Sequence, residues 1–142
     1  MKGSDGAMVD APAGERPRPL SPHLQVWRWH ITLVASIATR FTGAALYLGM
    51  LLVAGWAFAL ATGPDAYQTY MSLLGSIPGK VLLFGLTLCL FYHLAAGIRH
   101  LVWDMGAGFR PRTAEATAWA SIAFAVIASV ALWGVAAAQG SL

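Results

Sequence analysis

The sequence predicts an all-α membrane protein with three transmembrane helices, and its composition and charge pattern carry this prediction. Hydrophobic residues make up 58% of the 142 residues, whereas charged residues make up only 11%. A soluble domain carries about 25% charged residues, and disordered chains combine high charge with low hydrophobicity. The uncharged stretches are 24, 18 and 27 residues long, and about 20 mostly apolar residues can cross a bilayer. The lipid bilayer is therefore the expected environment, and the net charge of +3 does not indicate nucleic-acid binding.

The chain begins with a tail, residues 1–24, which is rich in proline, glycine and charge. The tail lacks the apolar core of a secretory signal peptide, so we expect an extramembrane segment that is not cleaved. Residues 25–142 are predicted to form the transmembrane domain.

Proline and glycine positions set the predicted helix boundaries. All seven prolines lie outside the uncharged stretches or within one residue of their edges, and proline interrupts helical hydrogen bonding. We predict helices at about residues 31–61, 79–104 and 114–138, with loops between them. The loop signals are Gly63–Pro64 and Gly75–Gly79 for the first loop, and Gly106, Gly108 and Pro111 for the second.

Basic residues are concentrated in the tail, in the first half of the first helix and around the second loop. The first loop has only Lys80, and the C-terminal segment has none. Because basic residues favour the inner side of a membrane, we expect the N-terminus on the cytoplasmic or matrix side and the C-terminus on the opposite side. The inner basic residues would be Lys2, Arg16, Arg18, Arg28, Arg40, Arg99, Arg110 and Arg112.

Arg40 is an ionisable residue inside the first predicted span, where charge is costly and usually faces a partner or a cavity. Ser36 lies one helical turn earlier and so on the same face. A guanidinium beside a hydroxyl forms a polar notch that could hold a carbonyl or a carboxylate. Alternatively, Arg40 extends to the inner interface and Ser36 bonds only to its own backbone.

His93 lies near the middle of the second predicted span, in a stripe with Gly85, Cys89 and Gly97. Residues spaced by four share one helix face, and the glycines leave room there for a flat, bulky group. A neutral imidazole is a common axial ligand of haem iron. The alternative is a histidine bonded to a neighbouring helix, with the glycines serving helix packing and Cys89 a small packing residue.

Arg99 and His100 follow two turns after His93, at the inner end of the same span. Positive groups at this depth would suit the carboxylates of a cofactor whose centre lies at His93. The alternative is a cluster of charges at the membrane interface. The sequence has no zinc-type Cys/His spacing, no Walker loop and no Ser/His/Asp arrangement that would indicate another chemistry.

Three segments resemble the cytochrome b556 subunit family of succinate dehydrogenase. The first is residues 18–28, RPLSPHLQVWR; the second is residues 36–43, SIATRFTG; the third is residues 93–104, HLAAGIRHLVWD. The segments occur in the family's order, and together with the three spans the resemblance covers about residues 17–138.

The resemblance implies a membrane anchor that forms half of a heterodimeric helix bundle with a second three-helix anchor subunit. It implies a haem b shared between the two anchors and ubiquinone as substrate. It also implies a flavoprotein subunit and an iron–sulfur subunit docked on the inner face. In this family succinate is oxidised at the flavin, and its electrons pass through the clusters to a quinone.

Carried over residue by residue, the resemblance makes His93 the axial ligand of the haem iron. It makes Ser36 and Arg40 quinone-binding residues, and it places Arg40, Arg99 and His100 in the haem-propionate region. The sequence departs from the family at Thr39, where a histidine is usual, which removes one expected polar contact.

Three rival hypotheses follow from the same residues. The chain could be a structural anchor that binds no haem, or part of a small transporter or channel lined by Arg40 and His93. It could also anchor a quinol:fumarate reductase, in which the reaction runs in reverse.

Overall fold

The computed structural model describes Pro22 and residues 27–140. Within them it has four α-helices and no strand: α1 (Ile31–Thr62), α2 (Pro64–Gly75), α3 (Ile77–Asp104) and α4 (Pro111–Ala138). Three of these, α1, α3 and α4, are long and apolar enough to cross a membrane, which confirms the predicted fold class. Except for Pro22, the tail 1–24 and residues 25–26 of the first family segment lie outside the described residues.

The glycine and proline pattern predicts a loop between the first two spans, but the structure has helix α2 there. Pro64 occupies the first turn, where its missing N–H costs nothing, and Asp65 places a negative charge at the positive end of the helix. With 12 residues, α2 is about 18 Å long, too short to cross the bilayer. The Gly63–Pro64 pair predicts a loop, although a Gly–Pro pair also suits the start of a helix.

Single residues join α1, α2 and α3. Gly63 alone links α1 to α2 and has a φ of 134°, a conformation that residues with a Cβ rarely adopt. Tyr70 then fastens α2 to α1, because its hydroxyl donates to the Leu52 carbonyl at 2.7 Å. Ser76 links α2 to α3, and its hydroxyl caps α3 by accepting from the Gly79 N–H at 3.3 Å.

Helix α3 contacts each of the other three helices, as α1 does, and its most extensive contact is with α4. Small side chains let α4 pack closely against it, as is usual for helices in lipid. Ala118 and Ser129 are fully buried, and Ala125 joins Tyr92 and Ala96 in the apolar core. The stripe of buried small residues on α4 is Ala118, Ser121, Ala125 and Ser129.

Polar contacts also join the spans. The buried Tyr92 hydroxyl donates to the Ala35 carbonyl of α1 at 2.8 Å. Trp133 of α4 donates its indole N–H to the Thr87 hydroxyl of α3 at 3.2 Å. Such bonds between membrane helices contribute about 0.6 kcal/mol on average, so they define register more than they supply stability.

We expect Ala125→Leu to destabilise the bundle, because Ala125 is only 4% exposed between α3 and α4. Extra methylenes in a packed core cost about 1–3 kcal/mol. Ala123→Leu is the matched control, since Ala123 is exposed on the same helix. Thermal unfolding of the purified, assembled protein should show a lower midpoint for Ala125→Leu only. Equal midpoints for both variants would contradict the described packing of α4.

Candidate functional site

Ser36 and Arg40 lie together on α1, as the spacing predicts. Arg40 Nη1 donates to the Ser36 hydroxyl at 2.5 Å and to the Ser36 carbonyl at 3.2 Å. Arg40 is exposed, and no other described residue accepts a hydrogen bond from its guanidinium. The pair therefore presents free N–H donors beside a hydroxyl, on a surface that this part of the chain does not cover.

His93 of α3 lies against α1 at Thr42 and Gly43. The Thr42 hydroxyl is 3.2 Å from His93 Nδ1. A Cβ added at Gly43 would lie 3.1 Å from His93 Cε1, so the missing side chain of Gly43 is what allows the imidazole to approach the α1 backbone. The other ring nitrogen, Nε2, bonds to none of the described residues and has its lone pair or proton available.

Open space lies beside the two glycines of the His93 stripe. A Cβ built at Gly85 or at Gly97 would meet no atom within 4 Å. Neither glycine is therefore used for close helix packing within the described part of the chain. This stripe of α3 has room for a flat group that is not part of this chain.

His100 shares the His93 face of α3, because seven residues return the helix to within about 20° of the same direction. Its Nδ1 is 2.7 Å from the Ala96 carbonyl, so Nδ1 donates and Nε2 is the nitrogen left for other contacts. The ring packs edge-on against Trp103, with centroids 5.2 Å apart. His93 and His100 are separated by about 10 Å along the helix axis.

Arg99 lies on a different side of α3, about 120° around the helix from His93. It is only 9% exposed and is held against α4. Its Nε donates to the Thr117 hydroxyl at 3.0 Å and its Nη2 to the Ala114 carbonyl at 3.0 Å. The guanidinium also lies 4.1 Å above the Trp103 ring, a cation–π contact. The structure therefore directs the guanidinium of Arg99 toward α4, away from His93, although Arg99 and His100 both pack on Trp103.

The α3–α4 side of Arg99 also has a groove of about 330 Å³. Its walls are mostly apolar, and its α3 residues are Ala95, Ile98, Arg99, Val102 and Trp103. Because successive residues of a helix are rotated by about 100°, Ala95, Ile98 and Val102 point 140–200° away from His93. The groove is thus distinct from the open stripe that carries His93.

The sequence pattern assigns no role to Thr42, Tyr92 or Thr117, although each contacts a predicted site residue or fixes its helix. Thr42 lies 51 residues from His93, and Tyr92 bonds to a carbonyl 57 residues away. Spacing within one helix cannot reveal such pairs. The available signals were the adjacency of Tyr92 to His93 and the position of Thr42 inside the quoted segment 36–43.

These features define a class of protein: a helical membrane subunit with three spans, a partly bonded histidine in the middle span and a serine–arginine pair in the first. The family described as "Succinate dehydrogenase/Fumarate reductase transmembrane subunit" matches residues 14–132. The chain belongs to this family.

Individual relatives agree with the family match. The chain is 41% identical over 123 residues to the "Succinate dehydrogenase cytochrome b556 subunit" of Paracoccus denitrificans, covering 87% of this chain and 93% of that protein. The Rickettsia felis protein of the same name is 33% identical over 116 residues, covering 82% of this chain and 90% of the relative. The pig "Succinate dehydrogenase cytochrome b560 subunit, mitochondrial" is 40% identical over 96 residues, covering 64% and 55% of the two chains.

We expect Arg99→Ala to weaken the packing of α4 on α3, because it removes both hydrogen bonds and the contact with Trp103. Hydrogen bonds to charged groups contribute about 1.5–3 kcal/mol, so the thermal midpoint of the assembled protein should fall by several degrees. Arg112→Ala is the control, since Arg112 is exposed in the first turn of α4. A normal midpoint for Arg99→Ala would show that Arg99 does not join the two helices.

Proposed function

We propose that this chain is the membrane anchor of a succinate:quinone oxidoreductase that binds haem b and contributes to a ubiquinone-reduction site. The relatives are named as cytochrome b subunits of succinate dehydrogenase, and the chain has three apolar helices that suit an integral membrane subunit. The anchor itself would carry no active site for succinate.

The proposal depends mainly on the environment of His93. Its Nδ1 faces the Thr42 hydroxyl, its Nε2 has no bond within the described residues, and the adjacent stripe is open at Gly85 and Gly97. His93 would be the residue of this chain that holds the haem iron, and a partner anchor would supply a second ligand. When bound, the haem would accept and donate single electrons at a potential tuned by its ligands.

Ser36 and Arg40 would bind the quinone. Arg40 carries N–H donors and a fixed positive charge, and its bond to Ser36 holds the guanidinium close to the helix surface. A quinone carbonyl beside this pair would receive hydrogen bonds that strengthen as negative charge develops on its oxygen. The bilayer position of the pair suits a substrate that diffuses within the membrane.

The propionate region would involve positive groups on the inner side of His93. Arg40 of α1 and His100 of α3 are both exposed, and we assign them direct contacts with the propionates. We assign Arg99 a contribution through its charge, because its hydrogen bonds are directed toward α4. Thr39 brings no ionisable group in place of the usual histidine, and its hydroxyl donates to the Ala35 carbonyl of its own helix at 2.8 Å.

We also propose the partners and the orientation. A flavoprotein subunit and an iron–sulfur subunit would dock on the inner face, and a second three-helix anchor would complete the bundle. The N-terminus would lie on the cytoplasmic or matrix side, because the basic residues flank that side. Large exposed apolar side chains on the spans would contact lipid or the second anchor; Phe41, Tyr47 and Phe58 are each more than 70% exposed.

Succinate oxidation is favoured over fumarate reduction by the relatives, although the family includes both enzymes. The relatives of bacterial and mitochondrial origin are named for succinate dehydrogenase. The haem-free anchor and the transporter are disfavoured by the same names, since those proteins are cytochrome b subunits.

We expect His93→Ala to abolish or change the b-type haem spectrum of the complex purified through a tag on this chain. Removing the imidazole leaves the iron without the ligand from this subunit. Cys89→Ala, one turn earlier on the same stripe, is the control and should keep the spectrum. The measurement is a reduced-minus-oxidised absorbance spectrum, and an unchanged spectrum in an assembled His93→Ala complex would exclude His93 as the ligand.

We expect Arg40→Leu to lower quinone reduction on the order of 100-fold, the cost of removing one preorganised donor at a developing oxyanion. Succinate oxidation with an artificial dye that accepts electrons before the quinone should stay normal. Arg112→Leu is the control and should retain both activities. Equal losses of the dye and quinone activities in Arg40→Leu would contradict a role in quinone binding.

A further inference from the structure

Thr42 has a single hydroxyl proton, and its surroundings determine where that proton goes. Thr42 is buried, with 7% of its surface exposed. Its Oγ1 is 2.8 Å from the Ala38 carbonyl and 3.1 Å from the Thr39 carbonyl. Carbonyl oxygens only accept hydrogen bonds, so the hydroxyl must donate toward this pair. The lone pairs of Oγ1 are then the part of the hydroxyl that faces His93.

His93 Nδ1 lies 3.2 Å from the same oxygen. The Thr42 hydroxyl proton is directed to the carbonyls of α1, so it is not available for the contact with His93. In this contact Nδ1 is therefore the donor, and its N–H donates to Thr42 Oγ1. A neutral imidazole has only one N–H. The proton on Nδ1 therefore leaves a lone pair on Nε2, which is the form of histidine that can bind a metal through Nε2.

We propose that Thr42 is a positioning residue that holds His93 in the Nδ1–H form, with the Nε2 lone pair available to the haem iron. The proposal rests on the proposed function, in which His93 is the axial ligand. A metal-binding histidine usually donates its other N–H to an acceptor, which fixes the ring and increases the basicity of the ligand nitrogen. Thr42 would be that acceptor, and Gly43 would give the ring its place against α1.

The chain offers a set of variants that separates the hydroxyl from the shape of Thr42. Thr42→Val keeps the volume and branching but removes the acceptor, whereas Thr42→Ser keeps the hydroxyl. Thr62→Val is the matched control, because the Thr62 hydroxyl makes the same kind of bond on α1, to the Phe58 carbonyl at 2.8 Å. Thr42→Ala also removes the hydroxyl and adds no bulk, so it replaces Thr42→Val in the test if the valine variant does not assemble.

The test uses the whole complex, purified in detergent. Three quantities are measured: haem per flavin, the electron paramagnetic resonance spectrum of the oxidised haem, and the haem midpoint potential. We expect Thr42→Val to shift the resonance and make the potential more positive, since a less basic imidazole stabilises the oxidised iron less. We also expect about tenfold or greater weakening of haem retention, within the range for loss of such a partner. Thr42→Ser and Thr62→Val should match the wild type.

Two results would overturn the proposal. One is a Thr42→Val or Thr42→Ala complex whose haem content, resonance and potential all equal those of the wild type. The other is an equal change in Thr42→Ser, which would show that the effect follows the packing at this position rather than the hydroxyl. Failure of the proposed function is recognised separately, because it would appear as an unchanged haem spectrum in His93→Ala, and it would remove this inference as well.

Discussion

The close approach of α1 to α3 at His93 is the constraint on which the rest of the site depends. Gly43 permits the approach, because any side chain there would meet the imidazole. The Tyr92 hydroxyl fixes the same crossing two turns earlier on α1, at the Ala35 carbonyl. These two contacts fix how α1, which carries Ser36 and Arg40, crosses α3, which carries His93 and His100. The positions of all four side chains thus follow from one helix crossing.

Polar groups divide α3 into two sides with different tasks. His93 and His100 share the side that is open beside the glycine stripe, and each has one ring nitrogen bonded within the chain. Arg99 lies on the side toward α4, where it bonds across the helix pair. The segment 93–100 therefore contains the two histidines, each with a ring nitrogen that is not bonded within the described residues, and the arginine that hydrogen-bonds to α4. A charge buried between membrane helices needs such partners because lipid offers none.

Much of the fold could be predicted from the sequence, because uncharged stretches and prolines report directly on membrane spans. Helix α2 could not, since a Gly–Pro pair marks both turns and helix starts. The Ser36–Arg40 contact was predictable from its spacing of four. The direction of the Arg99 side chain could not be predicted. Arg99 and His100 are neighbours, but successive residues of a helix point about 100° apart. Which of these directions meets another helix depends on the packing of the helices. The Thr42–His93 contact joins two helices and depends on their crossing point.

Hydrogen-bond satisfaction shows which polar groups of the spans are free for a function. In lipid an unbonded polar group is costly, and most hydroxyls here bond to a carbonyl within their own helix, as Thr87 and Ser121 do. The Ser129 hydroxyl is buried and without a partner, but it lies in the packed stripe of α4, where no space exists for a further group. His93 Nε2 and the remaining Arg40 donors lie beside open surface instead. The combination of a free polar atom and open space, rather than either alone, distinguishes the candidate site from a packing defect.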